Sequence, residues 1–346
     1  MNTEIIGGYK MIEGMDWESF TKKLSKSEDF GKTMLKAFEC QHLIDSFRKI
    51  ETGVKRMSAI YDYVKNYMRW NGEYRIFASK SLEKTFEKRS GYSSDINMLL
   101  INLLSQSGIP ARPVLISTRS YGDVYKEVGF FRKFNHLLVS VMIEGKRYLL
   151  DATQPERPFN WLSLEDLNGE GLLVNIMEYE WVPLINHQIS TTTANETYSF
   201  TDGKINLYVV VSENGYNAFE KSAQKKLNHL DINTFLAKDF KLNSISEEKF
   251  NSFNNAASWA IEISGEKTLE THTDQISVSL QPVFNVWDVE LQEEERVHPV
   301  DFGFDQVIER EVTIPVPAGF KLSEIPAEET LEMQNNMLVF QESRNW

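Results

Sequence analysis

Gly91-Tyr92-Ser93-Ser94-Asp95-Ile96-Asn97-Met98-Leu99-Leu100-Ile101-Asn102-Leu103-Leu104 is the stretch on which the fold turns. Ile96, Leu99, Leu100, Leu103 and Leu104 recur at helical spacing, and Gly108 with Pro110 supplies the stop. Gly91 permits a sharp approach, so Ser93 falls in the first turn of the predicted helix. Unpaired N–H groups and the helix dipole favour negative charge there, and a cysteine at that point would be activated as a thiolate. Serine is also a preferred capping residue, and on this stretch alone Ser93 and Ser94 read as an N-cap pair.

Two segments downstream shift that balance. Phe134–Ile143 is an apolar, strand-like run, and Arg147–Asp151 follows it after Glu144-Gly145-Lys146, which has the character of a hairpin turn. A two-residue loop at Glu144-Gly145 pairs Ile143 with Lys146 and sets Leu138 opposite Asp151. His136 and Asp151 then share a face as diagonal neighbours, whereas a one-residue slip would separate them. A histidine alone is more often structural than catalytic. An acid placed to hold its ring on the paired strand favours the catalytic reading.

Composition bounds the rest. The chain has 346 residues, 41% hydrophobic and 25% charged, which suits a globular protein of two domains. A net charge of -13 argues against phosphate-backbone recognition and disfavours anionic membrane surfaces, and no apolar run approaches the length needed to cross a bilayer, so no nucleic-acid partner and no membrane insertion are expected. The N-terminus lacks a basic, apolar, small-residue leader pattern. The single cysteine, Cys40, sits in the pattern Met34, Leu35, Phe38, Leu43 and reads as a buried structural thiol. The six histidines form no metal spacing, so neither a metal nor another cofactor is expected. Glu293–Arg296 reads as a solvated acidic face, and Trp161, Trp181 and Trp287 as core.

Residues 1–90 read as helices. Asp16 caps a short one over Trp17, Phe20 and Leu24, and Val54, Met57, Tyr61, Val64 and Met68 form an amphipathic stripe. From about residue 196 strand-like segments take over: Ile205–Val211, Gln275–Gln281, Glu309–Pro315 and Met337–Gln341, interrupted by a helical insertion near Ala218–Leu236. Ser190, Thr191, Thr192 and Thr193 place an exposed linker at Asn186–Asn195. The expected division is 1–185, a helical lead-in plus core, and 196–346, a mostly β domain.

Lys88–Asn97, Leu103-Leu104 and Gly108-Ile109-Pro110-Ala111-Arg112-Pro113-Val114, followed in order by Phe134-Asn135-His136 and Tyr148–Thr153, resemble the transglutaminase-like, papain-like core of large bacterial proteins of unassigned function. A weaker similarity continues through His298–Phe302 and Ile314–Phe320 to the β-rich domain that follows that core. The resemblance implies an α+β fold, helices packed on an antiparallel sheet, followed by a mostly β, sandwich-like domain. It implies a periplasmic or cell-surface setting. It also implies triad-equivalent positions at Ser93, His136 and Asp151, where the family's nucleophile is cysteine. A serine hydroxyl is far less acidic than a thiol and needs an aligned base and a prepared oxyanion site. Three functions stay open: an inactive binding or scaffolding module for peptide or protein, a Ser-His-Asp hydrolase or amidase, and a purely structural protein.

Overall fold

The computed structural model describes residues 3–6, 9–12, 15–36, 40–127, 131–175, 178–185, 189–219, 240–246, 249–253, 256–269, 275–276, 278, 303–322, 330–332, 339–341 and 343. The chain is α+β. Helix α1 (Trp17–Leu24) starts where Asp16 accepts a hydrogen bond from the Ser19 N–H at 2.8 Å, and it buries Trp17, Phe20 and Leu24. Helices α2 (Gln41–Arg48), α3 (Val54–Tyr67) and α4 (Leu82–Lys88) follow, α3 burying Met57, Ile60, Tyr61 and Val64. The stripe anticipated from Val54 to Met68 is therefore the face that α3 turns inward.

Helix α5 (Ser93–Gln106) forms where the apolar spacing placed it and is covered beyond that apolar face. Every residue from Ser93 to Leu104 is buried, polar ones included. A helix covered on all sides needs partners for its polar groups. Asn102 finds them by donating to the carbonyls of Met34 and Lys36 at 2.7 and 3.0 Å. Cys40, just before α2, is buried, and that burial pushes its thiol up.

An antiparallel sheet packs on these helices. Its strands are β1 (Ala111–Ile116), β2 (His136–Ile143), β3 (Lys146–Leu150), β4 (Glu170–Val174) and β5 (Tyr179–Pro183), in the order β3-β2-β1-β4-β5. Between β2 and β3, Glu144 and Gly145 have φ of 51° and 78°. Two left-handed residues in succession make the turn whose twist matches that of paired strands. Ile143 pairs with Lys146 and Val139 with Leu150, the register the sequence implied. Asp151 is the first residue past the ladder, on the same face as His136.

The second sheet comprises β6 (Ser190–Thr201), β7 (Lys204–Asn214), β8 (Lys241–Ile245), β9 (Lys249–Phe253), β10 (Ala256–Thr268) and β11 (Gln306–Thr313). Its order is β8-β10-β7-β6-β11, with β9 also paired to β10. All pairs are antiparallel except β6 with β11. The fully buried Glu196 on β6 accepts a hydrogen bond from Arg310 Nε on β11 at 2.6 Å across that parallel pair.

The exposed linker expected over Asn186–Asn195 is corrected here. Residues from Ser190 onward lie in β6, with Ser190 and Thr192 fully buried. The Ser190 hydroxyl accepts from the Tyr216 N–H at 2.7 Å, and Thr192 accepts from Asn217 at 3.0 Å. Hydroxyls that suggested a loop are thus satisfied inside a strand. Val114, Ile116, Leu138 and Trp161 also share one core with Tyr198, Val209, Tyr216 and Trp259, so apolar packing is continuous across residue 190. The anticipated helical insertion lies outside the described residues beyond Phe219, as do Trp287, Glu293–Arg296, His298–Phe302 and most of Gln275–Gln281. Among the described residues, no helix is long and apolar enough to cross a membrane.

Candidate active site

Ser93 lies in the first turn of α5, as its sequence position implied, but Tyr92 is the N-cap. Asp95 serves that cap, its carboxylate accepting the Tyr92 N–H at 3.0 Å. Ser93 and Ser94 are therefore not the capping pair. Their hydroxyls anchor the segment 73–79, which lies over the start of the helix. Glu73 O accepts the Ser93 N–H at 3.2 Å. Ser93 Oγ accepts the Arg75 N–H at 3.0 Å and donates to Arg75 O at 3.3 Å. Ser94 Oγ donates to Phe77 O at 2.7 Å, and Asp95 accepts from both the N–H and the hydroxyl of Ser79 at 2.8 and 2.7 Å. Three successive side chains of α5 thus stitch down one irregular segment.

Tyr74, between the two residues that hold Ser93, lays its ring against His136 with centroids 4.7 Å apart. His136 opens β2 and is wholly buried, and neither ring nitrogen has a hydrogen-bond partner. Ser93 is likewise wholly buried, and its hydroxyl is bonded to Arg75 rather than to the imidazole. The Nε2 of His136 faces two carboxylates, Asp151 Oδ2 at 3.6 Å and Asp166 Oδ1 at 3.7 Å. Those separations suit charge attraction and fall just outside a hydrogen bond.

Asp151 is held from all sides. Asn97, one turn along α5 from Ser93, donates to Asp151 Oδ1 at 2.8 Å and to Leu137 O at 2.7 Å, while its own oxygen accepts the Ala152 N–H at 2.9 Å. Thr153 donates its hydroxyl to Asp151 Oδ2 at 2.7 Å. The buried Arg157 donates through Nη1 to Asp151 Oδ2 and, at 3.2 Å, to Asp166 Oδ2. Tyr61 of α3 fastens the loop by donating to the carbonyls of Asp151 and Arg157 at 2.9 and 3.0 Å.

Residues 41–152 match the model of the transglutaminase-like superfamily. The chain carries a transglutaminase-like domain. The matched stretch contains Ser93, His136 and Asp151 and stops short of Arg157 and Asp166. Among solved structures, a candidate protease from Parabacteroides distasonis is similar at 13% identity over 72% of this chain and 53% of its own, with a TM-score of 0.38. A candidate cysteine protease from Cytophaga hutchinsonii is similar at 24% identity over 35% of this chain and 41% of its own, TM-score 0.27. A TGase is similar at 14% identity over 33% and 30%, TM-score 0.24. The chain thus spans about half the length of the first of these and less of the others. No curated protein matches the sequence.

Arg157 and Asp166 join two of the three anticipated positions, His136 and Asp151, in a buried cluster of four charged or titratable groups, whereas the Ser93 hydroxyl is bonded to Arg75. Asp166 had one local signal. Ser163-Leu164-Glu165-Asp166 spells a capping box, and Asp166 Oδ2 does accept the Ser163 N–H at 3.1 Å. Nothing local pointed to its other oxygen, which faces His136. Arg157 had no local signal either.

His136, Asp151 and Asp166 offer three ligand-type atoms within 4.8 Å of one another. The set does not fit a metal ion, because the Arg157 guanidinium already bonds both carboxylates and puts a fixed positive charge where a second cation would stand.

The two carboxylates are driven in opposite directions. Burial alone would raise Asp151, but the charge of Arg157, with His136 and Asn97, outweighs it and holds this carboxyl well below the usual range. Burial raises Asp166, the attraction of His136 opposes it, and Asp151 adds repulsion; the net direction is upward. The pH consequences have opposite signs. Asp151 contributes stability that is present above the unfolded carboxyl value of about 3.9 and is lost as pH falls below it. Asp166 contributes stability that is present below about 3.9 and is lost as pH rises. We expect Asp151→Asn to fall behind the wild type as pH climbs from about 2 to about 4, and Asp166→Asn to gain on it above about 4. Urea denaturation of the three proteins across that range is the check; parallel stability curves would contradict the opposed assignments.

Proposed function

We propose that this transglutaminase-like chain is catalytically silent and serves as a binding or scaffolding module for peptide or protein, with Ser93 in the place of the nucleophilic thiol. One observation carries the reading: the Ser93 hydroxyl both accepts from and donates to the backbone of Arg75, inside a fully covered site. A nucleophilic serine needs a base within about 2.6–3.2 Å to take its proton during attack. His136 makes no such bond, and Ser93 ties helix α5 to the segment 73–79. The Ser-His-Asp hydrolase or amidase acting through Ser93, His136 and Asp151 is the alternative.

A fluorophosphonate probe separates the two, since it labels hydroxyls activated as nucleophiles. The expected result is no labelling at Ser93 by mass spectrometry and no peptidase or amidase turnover above background. Labelling that vanishes in Ser93→Ala, together with turnover lost in the same variant, would establish the hydrolase.

A further inference from the structure

Beside the covered site the surface opens into a cavity of about 350 Å³, flanked by the start of α4, its last turn and the residues leading into α5. Its lining is unbalanced. Lys80 and Lys88 stand on it without an ion-pair partner among the described residues. The Ser90 hydroxyl is likewise free, and Asn71, whose oxygen accepts the Glu73 N–H, also lines the cavity. The one carboxylate in the wall, Asp95, is satisfied by Ser79 and Tyr92. In a chain of net charge -13, this is a concavity of unpaired donors and cations. Gly91 lets the backbone pass close to Asp95 in this wall, since a Cβ there would come within 2.7 Å of the Asp95 Cβ.

We propose that this pocket binds an oxyanion, specifically the carboxylate of an acidic residue in a bound peptide. Donors without acceptors, two of them charged, are the complement of a carboxylate, and charge-assisted hydrogen bonds of this kind are the stronger class. The cavity lies at the low end of the range for small-ligand sites, enough for one side chain and its backbone. It adjoins Tyr92, the residue before Ser93, so a peptide anchored here would lie next to the covered triad positions. The inference rests on the peptide-binding reading above and adds the chemistry that the peptide must carry.

Calorimetric titration of the intact chain with acetyl-Gly-Glu-amide, acetyl-Gly-Gln-amide and inorganic phosphate tests it. The glutamate peptide should bind at least about tenfold more tightly than its glutamine twin. Lys80→Ala/Lys88→Ala, at surface positions that leave the fold intact, should abolish that preference. The affinity should also weaken from about 50 to about 300 mM salt. Phosphate should compete with the glutamate peptide. Equal binding of the two peptides, unaffected by the lysine substitutions, would overturn the pocket while leaving a peptide-binding module. Binding of phosphate with neither peptide bound would overturn the carboxylate assignment and count against the peptide-binding reading as well.

Discussion

Arg157→Leu will lower the unfolding free energy by about 3–5 kcal/mol, the usual consequence of removing one partner from a buried charge pair. Arg157 is almost fully buried between two buried carboxylates, and its guanidinium is their only arginine or lysine partner among the described residues. Leucine fills part of the volume but leaves Asp151 and Asp166 facing each other across His136. One of them must then take up a proton or admit water, and either route costs stability at neutral pH. Urea denaturation at pH 7 reads the loss directly. Adding Asp166→Asn to Arg157→Leu should recover at least about 1 kcal/mol, because the two side chains share one network and their effects do not add. A loss below about 1 kcal/mol for the single variant would mean that the cluster is hydrated rather than sealed.

Trp161→Ala will cost a similar amount, about 3–5 kcal/mol, and will weaken both sheets together. Trp161 is 1% exposed and packs on Tyr216 and Phe219 with ring centroids 5.1 and 6.5 Å away. Tyr216 in turn donates to Leu162 O at 2.8 Å and stacks on Phe304 at 4.7 Å. The loop that carries Asp166 is thus clamped by residues following β7 and preceding β11. Truncating Trp161 leaves a cavity in the core that residues of both sheets share. Hydrogen exchange should show peptides from β2 and from β7 losing protection by comparable amounts. Protection lost in β7 alone would show that the β-rich part opens independently of the transglutaminase-like domain.

The features legible in the sequence are those set by rules acting over a few residues. The start of α5 at Ser93 follows from apolar spacing and from Gly91, and the fold delivers it. The β2–β3 register follows from a two-residue turn, so His136 and Asp151 share a face wherever the hairpin is placed. The stripe of α3 and the cap at Asp16 follow from helical period and side-chain geometry in the same way.

Other features depended on residues far apart in the chain. The Ser93 hydroxyl is bonded to a backbone segment 18 positions earlier, and no local rule selects Arg75 over His136 as its partner. Arg157 and Asp166 sit in a loop without periodicity, where charge, burial and the clamp at Trp161 bring them onto His136. Ser190–Thr193 have the composition of a linker and become a buried strand because β7 pairs with one side and β11, more than a hundred residues on, pairs with the other. Local sequence picked out Ser93, His136 and Asp151 as candidates and missed Arg157. Only the tertiary structure decided which of them are charged neighbours and which hydroxyl is tied up, because a buried polar group takes whichever partner the packing brings within reach.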